Sequence, residues 1–292
     1  MNICIFTVIK NERDYLNDFL KYHTEMGLDI FIFEDLFSES HKDICEQYEN
    51  VFLHSIKELY TDEEIPELIQ NRTNHKPQQT EFINKGLKFI HSLEKYDWCW
   101  LIDIDEYITT TEPLEQILER FKDYDALFVY WMNYGCSGNL YKPIYDKPIY
   151  DIYTERCGYE LFADRKHNNI TKFCVNMRKW HPDMKYMIHN AAVKRIKVDG
   201  TLNHAKEVFE PLYLRHYITK SFEEYCHKVY VRGMHHNGHR RIKSFIEMQP
   251  QYKDIILNNK ELINYINKKY NIDIKSQLIE INIQLENGER CN

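Results

Sequence analysis

The sequence predicts an α/β protein: a mostly parallel mixed sheet flanked by helices, followed by a helical C-terminal extension. Three observations carry that expectation. Through the first 130 residues, apolar runs rich in β-branched residues alternate with stretches of helical periodicity, the rhythm of βα units on a parallel sheet. The strongly apolar run Trp98 to Ile102 leads straight into Asp103-Ile104-Asp105-Glu106, and the C-terminal strand edge of an open α/β sheet is where ligands bind. The last fifty or so residues, rich in Ile, Leu, Asn and Lys, repeat at amphipathic helical spacing.

Taken in order, Ile3 to Ile9 reads as the first strand. Behind it Tyr15, Leu16, Phe19, Leu20, His23 and Met26 share one helical face. Asn11 suits the N-cap, Glu12 and Asp14 fall in the first turn, and Gly27 stands where the helix should stop. Residues 29–33 read as a second strand, 38–48 as a helix and 51–54 as a third strand. A polar loop over 57–76 precedes a helix over 78–93 and the strand 98–102. A helix over 112–122 and a strand over 126–132 follow. Gly135, Gly138, Pro143 and Pro148 then mark 134–151 as a long loop of the kind that walls or covers a site. Strands are expected at 172–177, 192–198 and 212–217, a helix at 221–234, and one or two helices from Ser244 onward. No internal repeat is present.

Composition narrows the function classes. With 292 residues, 43% hydrophobic, 28% charged, 9 Gly and 8 Pro, the chain can bury a large core and is neither collagen-like, low-complexity nor disordered. The 8 Cys include no C-x-x-C pair and several sit in apolar runs, which points to a reducing compartment and no structural zinc. The N-terminus lacks the pattern of a signal peptide and no apolar run approaches roughly 20 residues. A soluble, cytoplasmic protein is therefore expected. The net charge of −7 conceals an asymmetry: residues 1–164 carry −17, residues 165–243 carry +11 and residues 244–292 carry −1. An acidic half suits a divalent cation, and a basic stretch suits phosphate, an anionic acceptor or an anionic membrane surface; solvated faces would look the same. No groove-reading basic helix or nucleic-acid motif appears. Neither G-x-G-x-x-G nor G-x-x-x-x-G-K-[ST] occurs, so dinucleotide and P-loop chemistry are set aside.

What remains is the D-x-D of Asp103 and Asp105. Two carboxylates where a strand ends in a turn can converge, and hard oxygen ligands suit Mg²⁺ or Mn²⁺. An acidic turn is the alternative, and Asp123-Tyr124-Asp125 is a second D-x-D. The aspartyl-phosphate phosphatases share the motif, but they need Thr or Val where this chain has Tyr107.

Four blocks carry a resemblance. Lys10-Asn11-Glu12 with Tyr15-Leu16, Phe19, Tyr22-His23 and Gly27-Leu28-Asp29 is the first, and Trp98 to Ile108 the second. Trp131-Met132-Asn133-Tyr134-Gly135-Cys136-Ser137-Gly138 is the third. The fourth is His216-Tyr217-Ile218-Thr219-Lys220-Ser221 with Glu224, Lys228, Arg232 and Gly233. In this order, over residues 1–233, they resemble the blocks of the family 92 and related family 2-like glycosyltransferases. The resemblance implies a GT-A type, Rossmann-like fold, a nucleotide-sugar donor and a divalent metal, Mn²⁺ or Mg²⁺. It implies a glycosyltransferase domain over 1–240, with a nucleotide-binding half at 1–132 and an acceptor-side half at 133–240; 241–292 is the helical extension. The chain departs from the pattern at Ser40, where relatives carry an Asp, and at Asp18 and Phe19, where Glu and Trp are usual.

The roles follow from the resemblance. Thr7, Lys10 and Glu12 would border the nucleotide, with the 10–12 turn offering N–H groups to an anion; Glu12 would equally serve as a helix-start charge. Asp35 would meet the base or simply form a turn. Gln79 and Asn84 would touch the donor sugar or ribose, or stand as exposed helical amides. Asp103 would meet ribose or metal and Asp105 would be the more direct metal ligand. Glu106 would orient the site from behind, and His189 or His216 would complete the metal shell. Lys172, Arg178, Lys220, Lys228 and Arg232 would face the diphosphate. For an inverting reaction Glu155 or Glu160 would take the acceptor's proton.

The function expected is transfer of a sugar from a nucleotide sugar to a glycan or lipid-linked oligosaccharide hydroxyl in surface-polysaccharide synthesis. UDP-galactose leads by family habit, with UDP-glucose and a UDP-N-acetylhexosamine as alternatives. No nucleic-acid partner is expected, and the C-terminus is a candidate for peripheral contact with the inner face of a membrane. The competing readings are a metal-dependent nucleotidyltransferase and a non-catalytic sugar-binding protein of the same fold.

Overall fold

The computed structural model describes residues 1–74, 78–157, 171–188, 190–191, 193–197, 209–231 and 238–286. Contacts divide the chain into two compact units, 1–132 with 168–216, and 133–167 with 217–292.

The first unit is built on a mixed sheet. Its strands are β1 (Ile3–Ile9), β2 (Asp29–Glu34), β3 (Val51–Ser55), β4 (Trp98–Leu101), β5 (Glu106–Thr110) and β6 (Ala126–Asn133). They are joined by β7 (Thr171–Asn176), β10 (Arg195–Lys197) and β11 (Leu212–His216), while β8 (Tyr186–Met187) and β9 (Asn190–Ala191) pair in a separate two-stranded sheet. The main order is β3-β2-β1-β4-β7-β6-β11-β5, with β10 also against β6. Strands β1 to β4 pair in parallel, as β10 does with β6. β7 runs antiparallel between β4 and β6, and β11 antiparallel to β5. Helices α1 (Arg13–Glu25), α2 (Lys42–Cys45), α3 (Ile65–Thr73), α4 (Gln79–Ser92) and α5 (Leu114–Arg120) connect the strands. This is the α/β, Rossmann-like GT-A type of architecture.

The helices form where the apolar spacing demands. α4 lays Phe82, Leu87 and Ile90 on a sheet face made by Phe6, Phe31, Phe33, Leu101 and Phe173. Burying each such side chain contributes about 1.5–3 kcal/mol. Gly86 lets α4 approach that closely, since a Cβ there would stand 2.2 Å from the Phe6 ring. α1 buries Tyr15, Leu16, Phe19, Leu20 and His23. Its Tyr22 hydroxyl donates to the Ile108 carbonyl at 2.9 Å, and the Ile108 N–H donates to His23 Nε2 at 3.2 Å. His23 Nδ1 lies 2.9 Å from the Phe19 carbonyl. Full burial lowers the His23 pKa to about 3, so the ring is neutral, a donor at Nδ1 and an acceptor at Nε2.

Four expectations are corrected. α1 begins at Arg13, and Asn11 is a left-handed residue (φ 53°) whose side chain accepts the Glu39 N–H at 2.8 Å. The helix expected over 38–48 shrinks to α2, because Glu34 holds both the backbone N–H (2.6 Å) and the ring (2.9 Å) of His41 outside helical geometry. The supposed loop over 57–76 contains a 3₁₀ turn, Ile56–Leu59, and α3 with Pro66 in its first turn. β5 was not anticipated at all.

The second unit is helical: α6 (Ile149–Ile152), α7 (Phe222–Tyr230), α8 (Gly238–Met248), α9 (Lys253–Asn258), α10 (Lys260–Tyr270) and α11 (Ile274–Glu286). Phe222, Cys226, Phe245, Leu262, Ile266, Ile274 and Ile281 share its core. α7 opens on a capping box: the Glu224 N–H donates to Ser221 Oγ at 3.1 Å, and the Ser221 backbone N–H donates to Glu224 Oε2 at 3.3 Å. Gly135 leaves room for Gln249, whose side-chain oxygen would lie 2.3 Å from a Cβ there and accepts the Cys136 N–H. The seven described cysteines are all buried free thiols. Among the described residues, no helix is long and apolar enough to cross a membrane.

Glu223 ties this unit together. It is 1% exposed, and its carboxylate accepts from Lys269 Nζ at 2.7 Å, the Lys142 N–H at 2.7 Å and the hydroxyls of Tyr265 and Tyr270, both at 3.1 Å. Burial alone would raise its pKa, but Lys269 and these donors outweigh it and hold the carboxyl below the usual range. A depressed folded pKa means stability fully present above the unfolded carboxyl pKa and lost as pH falls through the folded one. Glu223→Gln should lower stability at neutral pH by about 1–3 kcal/mol and flatten the acid limb of unfolding below pH 4.5. Denaturant melts of both proteins across that range check the prediction.

Candidate functional site

The acidic cluster sits where β4 gives way to β5. β4 ends at Leu101, and the Glu106 N–H donates to the Asp103 carbonyl at 3.0 Å while the Asp103 N–H donates to Glu106 Oε2 at 3.1 Å. This reciprocal turn places Asp103, Asp105 and Glu106 beside one another. β11 then brings His216 opposite Glu106 in the antiparallel ladder. One donor atom each from Asp105, Glu106 and His216 lies within 4.8 Å of the others, and all three residues are buried. His216 Nε2 is 3.9 Å from Asp105 Oδ1.

A buried cation belongs to the same group. Lys172 on β7 reaches Asp103 Oδ2 at 2.8 Å and Glu106 Oε1 at 3.5 Å. Its side chain is 6% exposed, against 50% for Asp103. Burial disfavours the ammonium, but Asp103 and Glu106 more than compensate and raise its pKa. Burial raises the Glu106 pKa well above its ordinary value despite Lys172, with Asp103 and Asp105 adding to the rise. Among the described residues, Glu106 Oε1 has no hydrogen-bond partner. Two carboxylates, one of them with an oxygen left without a hydrogen bond among the described residues, and an imidazole within a few ångströms are a suitable donor set for a divalent cation. Asp103, drawn to Lys172, lies outside that set.

The other expected residues are placed as follows. Cys4, Phe6 and Val8 belong to the core beneath α4, so Thr7 between them points to the opposite sheet face. It is 2% exposed, with a hydroxyl that has no partner among the described residues. Lys10 Nζ is 3.9 Å from Asp35. The N–H groups of Asn11 and Glu12 are taken by Ser38 Oγ (3.0 Å) and His41 Nε2 (3.3 Å), and are not open to an anion as the sequence suggested. Asp35, at the end of β2, is buried and forked by Arg72 of α3, with Nε at 2.9 Å from Oδ1. Arg72, which the sequence reading missed inside its supposed loop, also lies over the Phe82 ring at 5.6 Å.

Gln79 is exposed at the start of α4. Asn84 has its amide engaged by both backbone groups of Tyr186, donating at 2.8 Å and accepting at 3.1 Å, a clasp on β8. Arg178 pairs with Asp97 at 2.6 Å. Because β7 runs antiparallel to β4, that pair lies at the end of β4 away from Asp103, so Arg178 does not face the cluster. In the second unit, Lys220 is buried with a left-handed backbone (φ 52°) just before the α7 cap, and Lys228 lies on α7. Exposed Glu155 accepts from the Tyr252 hydroxyl at 2.6 Å. Glu160, His189 and Arg232 lie outside the described residues.

No protein-family model matches the sequence, and no curated protein matches it. Among solved structures, A197 from STIV is similar at 13% identity and a TM-score of 0.34, over 75% of this chain and 86% of that one. HddC from Yersinia pseudotuberculosis is similar at 10% identity and a TM-score of 0.35, over 68% and 90%. The bifunctional IspDF from Campylobacter jejuni is similar at 10% identity and a TM-score of 0.34, over 69% of this chain and 50% of that one.

Proposed function

We propose that this protein is a divalent-metal-dependent glycosyltransferase of the family 92 and family 2-like kind. In this reading it moves a hexose from a nucleotide sugar, UDP-galactose before UDP-glucose or a UDP-N-acetylhexosamine, to a glycan or lipid-linked hydroxyl. The carrying observation is the convergence of Asp105, Glu106 and His216 at the end of β4, in a chain whose four sequence blocks fit that kind of enzyme. Mn²⁺ or Mg²⁺ held there would offset the charge of a nucleoside diphosphate leaving group.

The chain's own groups divide the remaining work. Lys172, itself buried, holds Asp103 by an ion pair that leaves the half-exposed carboxylate to meet the hydroxyls of a ribose. Asp35, fixed by Arg72 with Lys10 nearby, is the candidate acceptor for an N–H of the base. Glu155, with Glu160 as the alternative, is assigned as the base that removes the acceptor proton in an inverting displacement. Lys220 is assigned to the diphosphate. Peripheral contact of the C-terminal helices with a membrane belongs to the same proposal.

Calorimetric titration with UDP-galactose, UDP-glucose and UDP-N-acetylglucosamine, in Mn²⁺ and then in EDTA, tests the reading. One of them should bind in metal and lose affinity in chelator. Failure of every nucleotide sugar, GDP and CMP donors included, would overturn it.

A further inference from the structure

We propose that Trp131 is the positioning residue of this centre: its indole fixes the ring of His216 and the ammonium of Lys172 together, and so sets the affinity for a divalent cation. The inference rests on the glycosyltransferase reading only in taking Asp105, Glu106 and His216 as cation ligands.

The geometry begins with register. Val129 of β6 pairs with Lys172 of β7, and Trp131, two residues further along the strand, falls on the same sheet face diagonally from that lysine. Lys172 Nζ stands 6.0 Å from the centroid of the indole ring, at the limit of a cation–π attraction that strengthens where water is excluded. On the other side of β6, β11 brings His216 against the same indole, with ring centroids 4.1 Å apart and planes at 41°. His216 and Lys172 are 5% and 4% exposed. One aromatic side chain thus packs on the imidazole of the ligand set and lies within cation–π range of the lysine that pairs with Asp103.

A flat ring packed against an imidazole limits rotation about its χ2, so Nε2 stays directed toward Asp105 before any ion arrives. Residues that orient ligands typically change metal affinity about 10–100-fold when removed. Trp131→Ala should therefore weaken Mn²⁺ binding by about 10–100-fold. Trp131→Phe keeps an aromatic face and should stay close to wild type.

The test is Mn²⁺ calorimetry on the wild type, Trp131→Ala and Trp131→Phe, each below its melting temperature, with tryptophan emission followed in parallel. The other three tryptophans are Trp98, Trp100 and Trp180. The Mn²⁺-induced emission change should vanish in Trp131→Phe while its binding persists. A Trp131→Ala protein that binds Mn²⁺ as tightly as wild type, or an emission change that survives in Trp131→Phe, overturns the inference alone. A wild type that binds no Mn²⁺ overturns the inference and the metal-dependent function together.

Discussion

Asp105→Ala is expected to fold and melt like the wild type, yet to lose Mn²⁺ binding and sugar transfer, the latter by at least about a hundredfold. Asp105 is a carboxylate in the turn between β4 and β5. Its neighbours in the cluster, Glu106 and His216, are tied into the β5–β11 ladder, which keeps the fold insensitive to the change. Circular dichroism, calorimetry and a donor-consumption assay on the same preparation separate the outcomes. Full transfer by Asp105→Ala would remove this residue from the metal role.

Lys172→Met is expected to behave oppositely, damaging the fold as well as the site. The ammonium is buried between Asp103 and Glu106; losing one partner of a fully buried pair costs about 3–5 kcal/mol, and because Asp103 is half exposed and regains water the loss here is expected at about 1–3 kcal/mol. Methionine fills much of the same volume, so the loss reports charge more than packing. Asp103 would then be released from its tether, and donor affinity should fall even where the protein remains folded. Chemical denaturation with and without Mn²⁺ reads both effects, and a Lys172→Met protein as stable as wild type would show that the ammonium does not compensate the acidic group.

Much of the first unit was legible because its elements are locally specified. The run Ile3 to Ile9, the face Tyr15-Leu16-Phe19-Leu20-His23 and the apolar Trp98 to Leu101 each state their own conformation, and the acidic turn after β4 is contiguous in sequence. β5 was hidden because Glu106-Tyr107-Ile108-Thr109-Thr110 continues the acidic motif and has no alternation of its own; it becomes a strand through pairing with the distant β11. α3 was masked by polar surface residues, although Pro66 and the apolar Ile65, Leu68 and Ile69 were available as a signal. For the site, Asp105, Lys172 and His216 were among the candidates, but nothing local says that β7 runs antiparallel to β4. That single orientation delivers Lys172 to Asp103 and carries Arg178 away from it. The role of Trp131 depends on the same placement of β7 beside β6, and Arg72 meets Asp35 across a separate long-range contact; no spacing rule encodes either.

The clasp of α1 on Ile108 has a consequence for the molecule in a crowded solution. β5 ends the main strand order, and an edge strand ordinarily offers unpaired N–H and C=O groups on which a foreign chain can template. At Ile108 both groups are already occupied, by His23 and Tyr22. Because the His23 ring stays neutral down to about pH 3, this cover persists through mild acidification. A tyrosine and a histidine on the first helix thereby guard the last strand of the sheet against growth into aggregates.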